Sequence, residues 1–279
     1  MKSTTRRIFL QKAGATVAGA LAIPVFSHAN SISNTSSTSL KLGLASYTTR
    51  KFNLEQTLEM CKKTALKEIC LKSMHLPLDS SKDDILKAKK LVTSAGINLY
   101  GGGVIYMNDK NEVDQAFNYA KTAGMTVIVG VPAHELLPYV DKKVKEFDIK
   151  LAIHNHGPGD KQYPSPKSII EKVKDLDKRI GLCMDIGHTM RIGEDPAGDA
   201  KKYFDRLHDV HMKDVNKAAK DGETVIVGQG VIDIPTFLKV LVHKKYQGIV
   251  SFEYEADGDN PLPGLAQSVG YVRGVLSVI

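Results

Sequence analysis

Leu182-Cys183-Met184-Asp185-Ile186-Gly187-His188 is a short apolar run that ends on an aspartate, with a glycine to turn the chain and a histidine three residues after the aspartate. Three other apolar runs end in the same way. Leu151-Ala152-Ile153 leads into His154-Asn155-His156, Leu207-His208-Asp209-Val210 into His211-Met212-Lys213-Asp214, and Ile249-Val250-Ser251-Phe252 into Glu253-Tyr254-Glu255. Short continuous apolar runs of this kind suit strands covered on both faces. Four neighbouring strands that finish on His, Asp and Glu predict a parallel sheet with a metal-binding rim at one end.

Outward from this stretch, strand and helix patterns alternate. Strands are expected over 40–47, 68–72, 97–101, 126–131, 150–154, 180–185, 208–213 and 248–253. Helices are expected over 52–66, 82–95, 112–123, 135–147, 168–176, 197–206, 235–244 and 265–276. Leu54, Leu58, Cys61 and Ala65 recur at helical spacing, Gly96 and Gly124 stop the second and third helices, and Pro235 opens the seventh. Eight strand–helix units in one chain imply an α/β protein with a single (β/α)8 barrel over residues 40–279. The runner-up, a doubly wound open sheet, usually carries a glycine-rich phosphate loop after an early strand. Gly101-Gly102-Gly103 lacks the GxGxxG spacing and reads instead as a tight backbone approach near the barrel mouth.

The 279 residues are 42% hydrophobic and 25% charged, ordinary for a globular chain. The formal charge of +7 falls to +3 once Lys2, Arg6, Arg7 and Lys12 are set aside, and no basic block occurs later, so charge does not point to nucleic acid. Those four residues belong to a candidate export signal. Thr5-Arg6-Arg7-Ile8-Phe9-Leu10-Gln11-Lys12 has a twin-arginine pattern, an apolar stretch runs from Ala13 to Phe26, and Ser27-His28-Ala29 is a small-x-small cleavage pattern. The apolar stretch is short for a membrane span of ~20 residues. A cleavable signal over 1–29, a flexible Ser/Thr/Asn-rich linker over 30–39 and a periplasmic mature protein without a stable membrane anchor are therefore expected. Cys61, Cys70 and Cys183 show no CxxC spacing and read as buried thiols.

Apart from His28, eight histidines remain, and four of them, His154, His156, His188 and His211, fall at or just past the fifth, sixth and seventh strand ends. Asp185 and Glu253 end neighbouring strands. Two imidazoles and two carboxylates make a borderline-hard site suited to one divalent ion, whether Mn, Co, Zn, Fe or Mg. His154 and His156 share strand parity, so both face the barrel interior.

From about Leu42 onward the chain resembles the xylose-isomerase-like TIM-barrel superfamily, which includes sugar isomerases and epimerases, inosose dehydratases and apurinic endonucleases. The resemblance is carried by Gly181-Leu182-Cys183-Met184-Asp185-Ile186-Gly187-His188, Asp209-Val210-His211-Met212-Lys213-Asp214, Gly228-Gln229-Gly230 and Tyr246-Gln247-Gly248-Ile249-Val250-Ser251-Phe252-Glu253. It implies that Asp185, His211 and Glu253 are metal ligands. The fourth ligand is usually a Glu ending the fifth strand, and here that position is His154, with His156 the alternative. Loss of that Glu argues against a symmetric epimerisation with two glutamates, and a His-x-His strand end is more like the inosose dehydratases.

The shared chemistry sets the other expectations. Lys213 and Lys72 are candidates to bind or protonate a substrate oxygen, and His156 and Glu255 are candidate acid/base groups. His75 and His188 are candidate substrate contacts, and Asp214 is expected to orient a neighbour. Export and the lack of a phosphate loop favour an unphosphorylated keto-sugar or 3-keto-glycoside. Elimination or hydration is ranked ahead of isomerisation or epimerisation. Nuclease action is disfavoured because no Asp-x-His pair follows the seventh strand between Gly222 and Gly230. A noncatalytic sugar-binding barrel is the remaining alternative, and an oligomer is compatible with the sequence.

Overall fold

The computed structural model describes residues 40–279. The expected export signal over 1–29 and the expected linker over 30–39 lie outside the described residues. Eight parallel strands close into one barrel: β1 (Lys41–Ala45), β2 (Glu68–Leu71), β3 (Asn98–Met107), β4 (Val127–Pro132), β5 (Lys150–His154), β6 (Ile180–Asp185), β7 (Leu207–Met212) and β10 (Ile249–Phe252). β10 pairs with both β1 and β7, so no edge is left open. The barrel expected from the alternating pattern is the one observed.

Helices cover the outside. They are α1 (Leu54–Lys63), α2 (Lys82–Ser94), α3 (Lys110–Ala123), α4 (Leu137–Phe147), α5 (Pro166–Val173), α6 (Ile186–Arg191), α7 (Pro196–Lys202), α8 (Ile234–His243) and α9 (Leu262–Leu276). Their starts are chemically marked. Asn53 and Gln56 form a reciprocal capping box at α1, Ser81 caps α2, and Asp195 caps α7 ahead of Pro196.

Strand parity sorts the side chains. Ile128, Leu151, Ile153, Leu182, Met184 and Val210 join the layer between strands and helices. The alternate residues Cys70, Val127, Val129, Ala152, Cys183 and Ile249 fill the barrel lumen with Tyr100. All three cysteines are free and buried, as expected.

Several boundaries differ from the sequence expectation. The third strand does not end at Gly101 but runs on to Met107, with a register shift between Gly102 and Ile105 against β4. The glycines therefore lie inside the strand. The close approach is real: a Cβ on Gly103, at φ +145°, would strike the Val129 carbonyl. A short helix, α6, begins directly after Asp185, where a simple turn was expected; apolar periodicity cannot register six residues whose start is set by a side-chain cap. The expected helix over 197–206 is α7 followed by a separate 3-10 turn, Phe204–Arg206. Between β7 and α8 lies an unanticipated two-stranded ribbon, β8 (Asp214–Val215) and β9 (Thr224–Val225).

Two stability predictions follow from these features. Gly103→Ala should cost about 2 kcal/mol or more, read from urea denaturation; an unchanged midpoint would contradict the close packing. At α7, Asp199 faces Glu194 with buried carboxylate oxygens that make no hydrogen bond, and burial followed by the Glu194 contact pushes the Asp199 carboxyl from 3.8 to about 7. The folded state thus holds the extra proton between those values. Stability linked to Asp199 is present at low pH and lost as pH rises through about 7. Asp199→Asn should therefore raise the urea midpoint over wild type near about pH 8 and leave it almost unchanged near about pH 4.

Candidate metal centre at the barrel mouth

The last inward residue of β5 is His154, and that of β6 is Asp185. His211 lies in β7, and Glu253 stands one residue past β10. The register aligns Asp185 with His211, and His211 with Ser251. Four side chains from four strands consequently meet at the C-terminal rim. His154 Nε2 lies 3.0 Å from His211 Nδ1 and 3.6 Å from Asp185 Oδ2, and His211 Nδ1 lies 3.2 Å from Glu253 Oε2. Neighbouring ligands on a tetrahedron with bonds of ~2.1 Å are ~3.4 Å apart. The donor atoms of these four residues all lie within 4.8 Å of one another.

Local chemistry explains why Asp185 is placed so firmly. Its Oδ1 accepts the His188 N–H at 2.7 Å as the N-cap of α6, which leaves Oδ2 facing the cluster. Asn155, fully buried between the two histidines, accepts the Asp185 N–H and donates to the Asp185 carbonyl and to Thr189. Its position in His154-Asn155-His156 was the available signal, and the sequence reading passed over it.

The charges are arranged in opposition. Burial alone would raise the Asp185 and Glu253 carboxyls. His188 and Lys213 hold Asp185 well below the usual range, and Lys213, His211 and Lys72 do the same for Glu253. Burial would lower Lys213, yet Asp185, Glu253 and Glu255 raise it well above an ordinary lysine. Its ammonium lies 2.9 Å from Asp185 Oδ2, 3.1 Å from Glu253 Oε2 and 2.8 Å from Glu255 Oε1. Burial drives His154 well below its ordinary value, so it is a neutral imidazole. Burial would lower His211 too, but the Glu253 carboxylate raises it.

The residues present fit a divalent cation. Asp185 Oδ2 and Glu253 Oε1 are buried without a hydrogen bond, although Lys213 approaches the first as an ion pair. His154, Cys183 and His211 are also mutually close. The carboxylate set is preferred, because burial raises the Cys183 thiol well above its usual range and keeps it protonated.

The remaining candidates divide. Lys72 reaches Glu253 at 3.6 Å and lies over the Tyr47 ring. His156 packs edge-on against His154, with ring centroids 4.5 Å apart, and bonds Tyr106 rather than the four-residue cluster. His188 touches the cluster through Asp185 at 3.8 Å and is hydrogen-bonded to Arg191. Glu255 meets the cluster through Lys213. His75 is not brought there: its ring is held by Ser46, Thr57 and the Phe52 carbonyl. Asp214 does not orient a cluster residue either. Its carboxylate accepts backbone N–H groups from Val215, Gly228, Gly230 and Ile232, and a Cβ on Gly230 would strike it. This accounts for Gly228-Gln229-Gly230.

A family model described as xylose isomerase-like TIM barrel matches residues 53–275, and the chain belongs to that family. It is 29% identical over 153 residues to the inosose dehydratase of Bacillus thuringiensis strain Al Hakam, a match covering 48% of this chain and 48% of that one. The chain thus spans about half the length of the curated relatives it matches. The 3-keto-D-glucoside 4-epimerase of E. coli superposes with a TM-score of 0.70 at 14% identity, covering 85% of this chain and 100% of that one. The IolI protein, solved with a zinc atom, gives 0.70 at 20% identity, with 85% and 98% covered.

His154→Ala should weaken Co(II) affinity by at least about 100-fold, whereas His156→Ala should change it by only a few-fold. Calorimetric titration of the folded variants checks this. Equal losses in both, or a loss only in His156→Ala, would reverse the ligand assignment.

Proposed function

We propose that the chain is a divalent-metal-dependent enzyme that enolises an unphosphorylated keto-sugar or 3-keto-glycoside and completes the reaction by β-elimination or hydration. The observation that carries this reading is the unlike chemistry of the groups that touch the four-residue cluster. Against His154 stands His156, which burial holds below its ordinary value as a neutral imidazole. Against Asp185 and Glu253 stands the charged Lys213, 2.8 Å from Glu255. A symmetric epimerisation asks for two equivalent bases on opposite substrate faces; elimination asks for one base and one acid.

His154, Asp185, His211 and Glu253 would hold the ion. When bound, the metal supplies Lewis acidity that polarises a ketone and steadies an enediolate. His156 takes the proton from the carbon next to the ketone, and that C–H electron pair becomes the enediolate. For a 3-keto-glycoside the pair then returns as a C1–C2 double bond while the C1–O bond breaks. The leaving oxygen receives a proton from the Lys213–Glu255 pair. Water added to the unsaturated sugar gives the hydrated product. Lys72, over Tyr47 and 3.6 Å from Glu253, binds a substrate oxygen at the rim, as does His188.

Similarity to inosose dehydratase over half the chain supports a dehydration-type reaction. Isomerisation or epimerisation through the same enediolate is the second reading. It is favoured by Glu253 and Glu255, two carboxylates joined through one lysine that can return a proton instead of expelling a group. The twin-arginine pattern supports export to the periplasm, where sugar phosphates are not the expected substrates. No helix among the described residues is long and apolar enough to cross a membrane.

The reaction is tested by incubating metal-loaded protein with 3-keto-glucosides and with free ketoses in deuterated water. Glycone release or an unsaturated product is expected from the glycosides. Deuterium wash-in without cleavage would favour isomerisation. The absence of both deuterium uptake and product with both panels would refute the proposal.

A further inference from the structure

Cys183 takes no part in the chemistry above, yet it stands directly beneath the candidate ligands. In the register of β5 against β6 it pairs with His154, and it lies two residues before Asp185 on the same inward face. Its side chain is wholly buried in the lumen, and its Sγ lies 3.9 Å from Asp209 Oδ2. His211 Nε2 approaches the same oxygen, at 4.0 Å. The ligating atoms of His154, Cys183 and His211 all lie within 4.8 Å of one another. A thiolate and an imidazole on one ion stand ~3.6 Å apart, so these three side chains close on an ion with movements of ~1 Å.

The two histidines also have a second face. At the rim, His154 Nε2 and His211 Nδ1 are 3.0 Å apart, and the latter is 3.2 Å from Glu253 Oε2. Their other ring nitrogens, His154 Nδ1 and His211 Nε2, are buried without a hydrogen bond. A buried polar atom left in that state is costly and calls for a partner. Against a hard or borderline ion the thiol loses to the carboxylates and stays protonated. A thiophilic ion reverses the order, because a soft cation gains most from sulfur. On binding, the S–H bond breaks, its electron pair forms the sulfur–metal bond, and the proton passes to the buffer. The positive charge left on the ion then lies beside Asp209. A neutral imidazole has one lone pair to give, so His154 and His211 cannot each serve an ion at the rim and a second one below it.

We propose that Cys183, with His154 and His211, forms a second, deeper metal site that takes a thiophilic ion such as Cd(II) or Cu(I), and that filling it excludes the ion held at the rim by Asp185 and Glu253. Metal-free protein is titrated with Cd(II) while ultraviolet absorption follows the thiolate-to-metal charge-transfer band. Protein loaded with Mn(II) is titrated in the same way while electron paramagnetic resonance reads the Mn(II) released. In the wild type the band should saturate at one Cd(II) per chain, and Mn(II) should leave in step. Cys183→Ser should lose the band and keep its Mn(II) affinity, whereas Asp185→Asn should lose Mn(II) and keep the band. Circular dichroism checks that both variants are folded, and the wild-type titrations decide the matter without them. No band in the wild type, a band that survives Cys183→Ser, or Mn(II) that stays bound at saturating Cd(II) would overturn the proposal. Only the exclusion rests on the rim site: a Cys183-dependent band in a protein that binds no Mn(II) would refute that site and uphold the deeper one.

Discussion

Asp185 and Glu253 put two carboxylates into the mouth of a barrel, where both are almost wholly removed from water. Taking an ion out of water costs several kcal/mol, even after relaxation, so such groups persist only against positive charge. Lys213 lies between them, His211 bonds Glu253, and Lys72 approaches from the next quarter of the rim. The mouth is organised around that requirement. The same arrangement suits a divalent ion, because the carboxylate pair balances a dication and His154 is already neutral.

Holding these groups in place depends on residues that do no chemistry. Asn155 clamps the backbone of Asp185, and the first turn of α6 uses one Asp185 oxygen as a cap and so aims the other. Asp214 collects four backbone N–H groups and ties the loop after β7 down beside the site. Below the cluster, small residues such as Ala152, Cys183 and Ser251 leave room in the lumen for Tyr100, whose hydroxyl meets Asp209 and Ser251. Burial raises the Asp209 carboxyl to about 7, partly opposed by His211 above it.

Much of this was legible in the primary structure for a local reason. Strand side chains alternate with period two, so apolar runs ending in His154, Asp185, His211 and Glu253 announce both a strand and an inward polar end. What escaped was nonperiodic or brief. α6 is too short to show a hydrophobic period, and the ribbon of β8 and β9 has two residues a side. The continuation of β3 to Met107 passes through three glycines, which read as a close backbone approach but carry no side-chain alternation to show that the strand goes on.

The amino-acid order by itself determined the alternation of strand and helix, the inward parity of the candidate ligands and the caps that start the helices, because each depends on residues within a turn or two of one another. Only the tertiary structure decided that His154, rather than His156, meets His211 across 57 residues of chain, that His75 is held elsewhere, and that Tyr106 stands over His156. Those relations depend on how eight strands close and stagger. A shift of one residue in register would move every one of these side chains to the opposite face.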